Sequence, residues 1–185
     1  MKGPLVVVTL ALVLAGCGAE EKAAAPPQTL SAEALPELAS SARTLDALAL
    51  AADALDPEAL AGVLDDAGFE TGHEREFSGK TTTFDHVVAR TLVFESAAGA
   101  DAYLEWLRGH GNDILGRAVP AEVAAPGDSG VVFTLARCGS CKKELPTFLA
   151  GWRRDEVVLS LLAAGSGANP ERFGALARDL DGTLG

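Results

Sequence analysis

Positive charge is in short supply: 15 lysines and arginines stand against 26 aspartates and glutamates, for a formal net charge of −11. A surface this acidic repels phosphate backbones, for which lysine and arginine supply most of the affinity, so no nucleic-acid partner is expected. The one basic cluster, Lys142, Lys143, Arg153 and Arg154, reads as solvated loop ends. Metal ligands are sparse as well. The three cysteines and the histidines His73, His86 and His110 are scattered without the spacing that a four-ligand zinc site needs, so neither a metal nor a cofactor is expected. No set of Ser, His and Asp has a motif context, and no carboxylate pairing implies general acid and base roles, which argues against an enzyme. A membrane-length apolar run is missing from the start of the chain. Leu5 to Leu14, at about 1.5 Å per residue, covers only about half of a ~30 Å hydrocarbon core.

That run, with Lys2 before it and small residues after it, has the layout of an export signal over residues 1–16. The next residues, Leu14-Ala15-Gly16-Cys17, resemble the lipobox of bacterial lipoproteins. The resemblance implies cleavage before Cys17 and lipid, palmitate included, on its sulfur. It also implies a membrane partner through that lipid and a place on the extracytoplasmic face of the cell membrane or envelope. Two or more acyl chains anchor stably where one does not. Loss of Lys2 with the signal takes the formal charge to −12. Residues 17–29 then read as a tether, because Gly18 to Gln28 holds no large apolar residue and cannot offset its ordering entropy. Residues 30–185 suit one domain with a single core.

Within that domain, Leu35, Leu38, Leu45, Leu48 and Leu55, with Ala42 and Ala52, recur at helical spacing and predict an amphipathic helix from Ser31 to Leu55. Asp56-Pro57-Glu58 starts a second helix that Gly68 stops. Alternation then predicts two antiparallel strands between Phe69 and Glu95 around Ser78-Gly79-Lys80. Phe84, Val88, Leu92 and Phe94 share the inner face there, and Asp85, Thr91 and Glu95 the outer one. His86 shares the inner parity and reads as a hydrogen-bonded core histidine. Ser96 caps a third helix with Ala100, Tyr103, Leu104 and Leu107 inward and Gly109 as its end. His110 then follows that helix, where its charge suits the C-terminal dipole.

Val131 to Leu135, Thr147 to Trp152 and Val157 to Ala163 are strands, the last two joined as a hairpin. Asn169-Pro170-Glu171 opens a final helix burying Phe173, Leu176 and Leu180. Trp106 and Trp152 read as packing residues. The order predicts an α+β fold, a mostly antiparallel sheet of about five strands with helices packed on one face. Over its C-terminal half this pattern resembles the small extracytoplasmic domains of actinobacterial lipoproteins and of some membrane kinases, where they serve as sensor modules.

Cys138-Gly139-Ser140-Cys141, followed by Pro146 and preceded by an apolar strand, resembles the active-site segment of thioredoxin-like proteins, including exported TlpA-type reductases. That resemblance implies an attacking thiolate at Cys138 and a resolving thiol at Cys141. Arg137 replaces the family's usual tryptophan. The 44 residues after Cys141 read as hairpin and helix, without the later strands and cis-proline loop. Beside redox catalysis stand a structural disulfide, favoured by an oxidising compartment, and metal binding. The expectation is therefore a non-enzymatic envelope lipoprotein that binds a protein or small ligand. The rival is an exported thiol-disulfide oxidoreductase.

Overall fold

A computed structural model describes residues 28–121, 123–127, 129–135 and 145–185. Cys17, the expected signal, and the pair Cys138 and Cys141 lie outside the described residues. The described strands are β1 (Ala39–Leu45), β2 (Phe69–Ser78), β3 (His86–Phe94), β4 (Ala118–Pro120), β5 (Gly130–Leu135), β6 (Thr147–Arg154) and β7 (Val157–Ala164). They form one antiparallel sheet of seven strands, not about five, in the order β1-β2-β3-β7-β6-β5-β4. The helices are α1 (Ala47–Ala51), α2 (Pro57–Asp66), α3 (Ala97–Leu115) and α4 (Pro170–Asp181). The chain lays down β1 to β3 as a meander, crosses to the far edge through α3, and returns through β4 to β7 until β7 pairs with β3.

The single helix expected from Ser31 to Leu55 is not formed. A 3-10 turn at Ala32–Ala34, β1, and the short α1 take its place. The leucine spacing is real, but it serves two cores on opposite faces of the sheet. Leu35 and Leu38 join one cluster and Leu45 and Leu50 the other, while Leu48 and Leu55 are 75% exposed. Between them the mostly small residues of Ala39–Leu45 pair with β2, Arg43 opposite Glu74, and β1 is an edge strand exposed except at Leu45.

Helices also cover both faces, not one. Phe173, Leu176, Ala177 and Leu180 of α4 pack with Phe77, Val87, Ala89, Trp152, Leu159 and Leu161. The remaining helices pack against Leu92, Phe94, Leu149 and Val158 on the opposite face. The central strands are therefore buried on both sides. This corrects two expectations about β3: Thr91, assigned outward, is fully buried, and Phe84 belongs to the α4 cluster, opposite Leu92 and Phe94. Thr91 is satisfied there by donating from Oγ1 to the Gln28 carbonyl at 3.1 Å.

The start and stop signals of the other helices act as expected at three caps: Asp56, Ser96 and Asn169 accept from Ala59, Gly99 and Arg172 N–H groups. The end of α3 does not fall at Gly109. The helix runs through it to Leu115, with non-helical angles at His110 (φ −120°, ψ 20°), and stops at Gly116 with φ 74°. Past Gly109 the buried Gly111 meets the Phe133 ring and Ile114 and Leu115 pack on the core, so burial carries the helix on. Gly116, at positive φ, supplies the left-handed cap, whereas Gly109 is an interior residue of the helix. Gly99 is required for the close approach of α3 to α2, since a Cβ there would lie 1.9 Å from the Ala67 carbonyl oxygen. The β6/β7 hairpin is as expected, turning through Asp155 at φ 51°.

Candidate functional site

Among the described residues, one face of the sheet is not fully roofed. Along this face the strands form a cross-strand row, Arg43 of β1, Glu74 of β2, Arg90 of β3 and Ser160 of β7, each opposite the next. The row beside it is Glu76, Val88, Leu162 and Leu149. Tyr103 and Ile114 of α3 and Asp53 from the α1–α2 loop complete a concave cavity of about 350 Å³ over these rows. This is within the range typical of small-molecule pockets and toward its lower end.

Glu74 is the centre of the site and is only 4% exposed. Its Oε1 accepts from Arg43 Nε and its Oε2 from Arg90 Nε, both at 2.6 Å. Burial pushes the Glu74 carboxyl up. The Arg43 hydrogen bond and the charge and hydrogen bond of Arg90 outweigh that push and hold it below its ordinary value. The same contact raises Arg43. Asp53 caps the outer ends of both arginines, bonding Arg90 Nη2 and lying 3.8 Å from Arg43 Nη2. Tyr103, buried on the cavity wall, is raised by that burial and stays a neutral phenol. Its ring sits in a ladder from Phe69 through Phe94, Tyr103 and Trp106 to His110, with centroid steps of 5.6, 5.6, 6.0 and 4.9 Å.

The cavity has two chemistries. One end is ionic, with the two guanidiniums and the Ser160 and Tyr103 hydroxyls as donors and Asp53, Glu74 and Glu76 as carboxylates; the other is aliphatic, formed by Val88, Leu149, Leu162 and Ile114. Among the described residues no three His, Cys, Asp or Glu side chains converge as a metal site, and no helix is long and apolar enough to cross a membrane.

Of the residues singled out from sequence, Tyr103 faces inward as expected. His86 has the expected parity but is not a core histidine. It lines the cavity rim with its side chain 41% exposed and Nδ1 3.5 Å from Glu76, because the sheet face is open there. His110 lies within α3, not after it, stacked on Trp106 with Nδ1 2.8 Å from the Trp106 carbonyl. His73 is on the other face, beside a groove under residues 28–33. Trp152 is fully buried with Nε1 donating to Asp181 at 2.9 Å. The strands flanking the C-x-x-C segment, β5 and β6, are antiparallel neighbours, and β6 starts at Thr147 where the thioredoxin resemblance implies a long helix.

Arg43, Asp53, Glu74 and Arg90 went unmarked in the sequence. A signal for one of them was present, since Arg90 falls between Val88 and Leu92 on the inward parity of β3, and a charge on an inward face requires a partner.

The fold and site define a three-layer protein, helices on both faces of a single antiparallel sheet, with a half-open cavity beside a buried ionic row. No family model and no curated protein matches the chain. Among solved structures it is similar to the extracellular domain of PknH from Mycobacterium tuberculosis. The TM-score is 0.51 at 14% sequence identity, covering 85% of this chain and 98% of that one. At that identity the likeness is one of fold.

Proposed function

We propose that this chain is a non-enzymatic binding module, held by lipid on Cys17 at the extracytoplasmic face of a membrane, and that the cavity beside Glu74 takes its ligand. The observation that carries this reading is the cavity itself: an ionic row held in place by its own hydrogen bonds, set against an aliphatic wall and left uncovered by the described residues. Preordered donors lower the entropy lost on binding. Binding is favoured over catalysis because Glu74, held ionised by two guanidiniums, is a poor proton donor at neutral pH. The lipobox resemblance and the fold likeness to an extracellular domain both support a place outside the cytoplasm. In that setting Cys138 and Cys141 form a structural bridge, and the domain reduces insulin disulfides no faster than solvent thiol.

Two measurements test the reading. Metabolic labelling with a radioactive fatty acid marks the wild-type chain and not Cys17→Ala; label on the variant would overturn the anchor. A small-molecule screen read by methyl NMR perturbs Val88, Ile114, Leu149 and Leu162. A broad screen that moves none of these methyls would overturn the cavity as a ligand site.

A further inference from the structure

We infer that the cavity recognises a monocarboxylate with a short apolar chain, and that Asp53 occupies the carboxylate position until that ligand displaces it. The inference rests on the cavity being the ligand site. Three observations carry it, beginning with charge. Arg43 and Arg90 set two positive charges against Glu74 and Asp53, while Glu76, the third acid of the cavity, lies 3.5 Å from His86 and also acts on Arg43. A single carboxylate restores that balance when Asp53 leaves, whereas a doubly charged phosphate overshoots it.

The second observation is donor capacity. The Nε groups of both arginines are committed to Glu74, and Asp53 meets only the Nη2 ends. The guanidiniums are thus fixed by the buried carboxylate while part of each fork faces the cavity, the geometry suited to a planar carboxylate. The third is the attachment of Asp53. It sits in the loop between α1 and α2, its side chain 44% exposed, and its backbone N–H reaches the Leu50 carbonyl only at 3.5 Å. Glu74, by contrast, is locked in the middle of a paired strand. Of the two acids in contact with the guanidiniums, Asp53 is the one that can move away. The aliphatic wall then sets the rest of the ligand: Val88, Leu149, Leu162 and Ile114 stand beside the ionic row and accept a short chain.

The test uses the full processed chain in lipid nanodiscs, with empty nanodiscs as control, and the probes hexanoate, hexylammonium and hexanol. The readout is the Val88, Ile114, Leu149 and Leu162 methyl signals, which lipid partitioning of the probes does not move. Hexanoate shifts these methyls in a saturable way and the other two probes do not. Asp53→Asn removes an intramolecular competitor and tightens hexanoate binding by about tenfold or more. Arg43→Gln, a change at a half-exposed side chain that leaves the core intact, weakens it by about tenfold. Equal shifts from hexanol or hexylammonium would overturn the carboxylate, and an Asp53→Asn affinity equal to wild type would overturn the displacement of Asp53, either result leaving the cavity as a ligand site. Silence from hexanoate overturns the inference, and silence from every compound of the broader screen overturns the ligand site too.

Discussion

The same strands present two unlike faces. Toward α4, Phe77, Trp152, Leu159 and Phe173 are essentially inaccessible and Phe148 stacks on Phe173 at 5.2 Å. The fully buried indole N–H there finds the Asp181 carboxylate. Toward α1, α2 and α3 the packing is as dense at Leu64, Leu92 and Leu104. It stops, however, at the Arg43–Glu74–Arg90 row, beyond which the described residues leave the sheet open. One face spends most of its surface on burial, with a groove under residues 28–33 beside His73, and the other leaves charge and apolar wall side by side. A domain of this size can maintain such an opening because the closed face supplies much of the apolar burial.

The largest expected effect breaks the closed face. Trp152→Ala removes the biggest inaccessible side chain and orphans one bond of Asp181, lowering stability by about 3–5 kcal/mol, as read from urea unfolding at constant m-value. If the loss is below about 1 kcal/mol, the two faces do not differ in the way described. Next comes the open face. Glu74→Gln leaves two guanidiniums without their shared anion. Breaking a fully buried pair costs about 3–5 kcal/mol, but Arg43 is 53% exposed and its charge is partly screened, so about 2 kcal/mol is expected. The Glu74→Gln variant also binds carboxylate differently, which Trp152→Ala, if it remains folded, does not.

Lowering the pH weakens both faces by one mechanism. Glu74 is held below its ordinary value of 4.5 by its arginines against the opposing push of burial. Asp181 is held below 3.8, first by the Arg154 hydrogen bond, with burial opposing and Trp152 and the Arg154 charge assisting. A depressed carboxyl stabilises the fold fully above its unfolded value and loses that contribution as pH falls through the folded one. Stability is therefore level near neutrality with respect to these two groups and declines as pH drops below 4.5, more steeply once Asp181 also titrates. Glu74→Gln flattens the upper part of that decline; a curve unchanged by the variant would remove Glu74 as its cause.

How much of this was legible in the sequence depends on whether one face or two was covering a segment. The elements from Pro57 onward followed local signals: caps at Asp56, Ser96 and Asn169, alternation in β2 and β3, and the Asp155 hairpin. Their inward residues were largely right, because each helix faces one core. The sheet's size was not legible, since β1 is built from small residues and β4 from only Ala118–Pro120, neither of which carries an apolar alternation. The ionic row was hidden for a related reason. Arg43 and Glu74 are partners 31 positions apart in sequence, and the leucine spacing around Arg43 reads as a helical stripe. That stripe fails because apolar spacing records which residues are buried and not which core buries them.

The smallest expected effect tests that last point. If Leu35, Leu38, Leu45, Leu48 and Leu55 formed one helical stripe, replacing any of them with Ser would remove a core side chain and cost several kcal/mol, as for other large-to-small core changes. In the two-core arrangement Leu45, at the end of β1, is buried in the cluster with Leu50 and Leu92 while Leu48 and Leu55 are 75% exposed. Leu48→Ser and Leu55→Ser then change stability by less than about 0.5 kcal/mol, the usual range for surface positions. Leu45→Ser loses about 3 kcal/mol through lost burial and an added hydroxyl. Equal losses at all three positions would restore the single helix and remove β1 from the sheet, and with it Arg43 from the site. Near-silence at Leu48 and Leu55 with a full loss at Leu45 keeps β1 paired with β2, which is the pairing that brings Arg43 to Glu74.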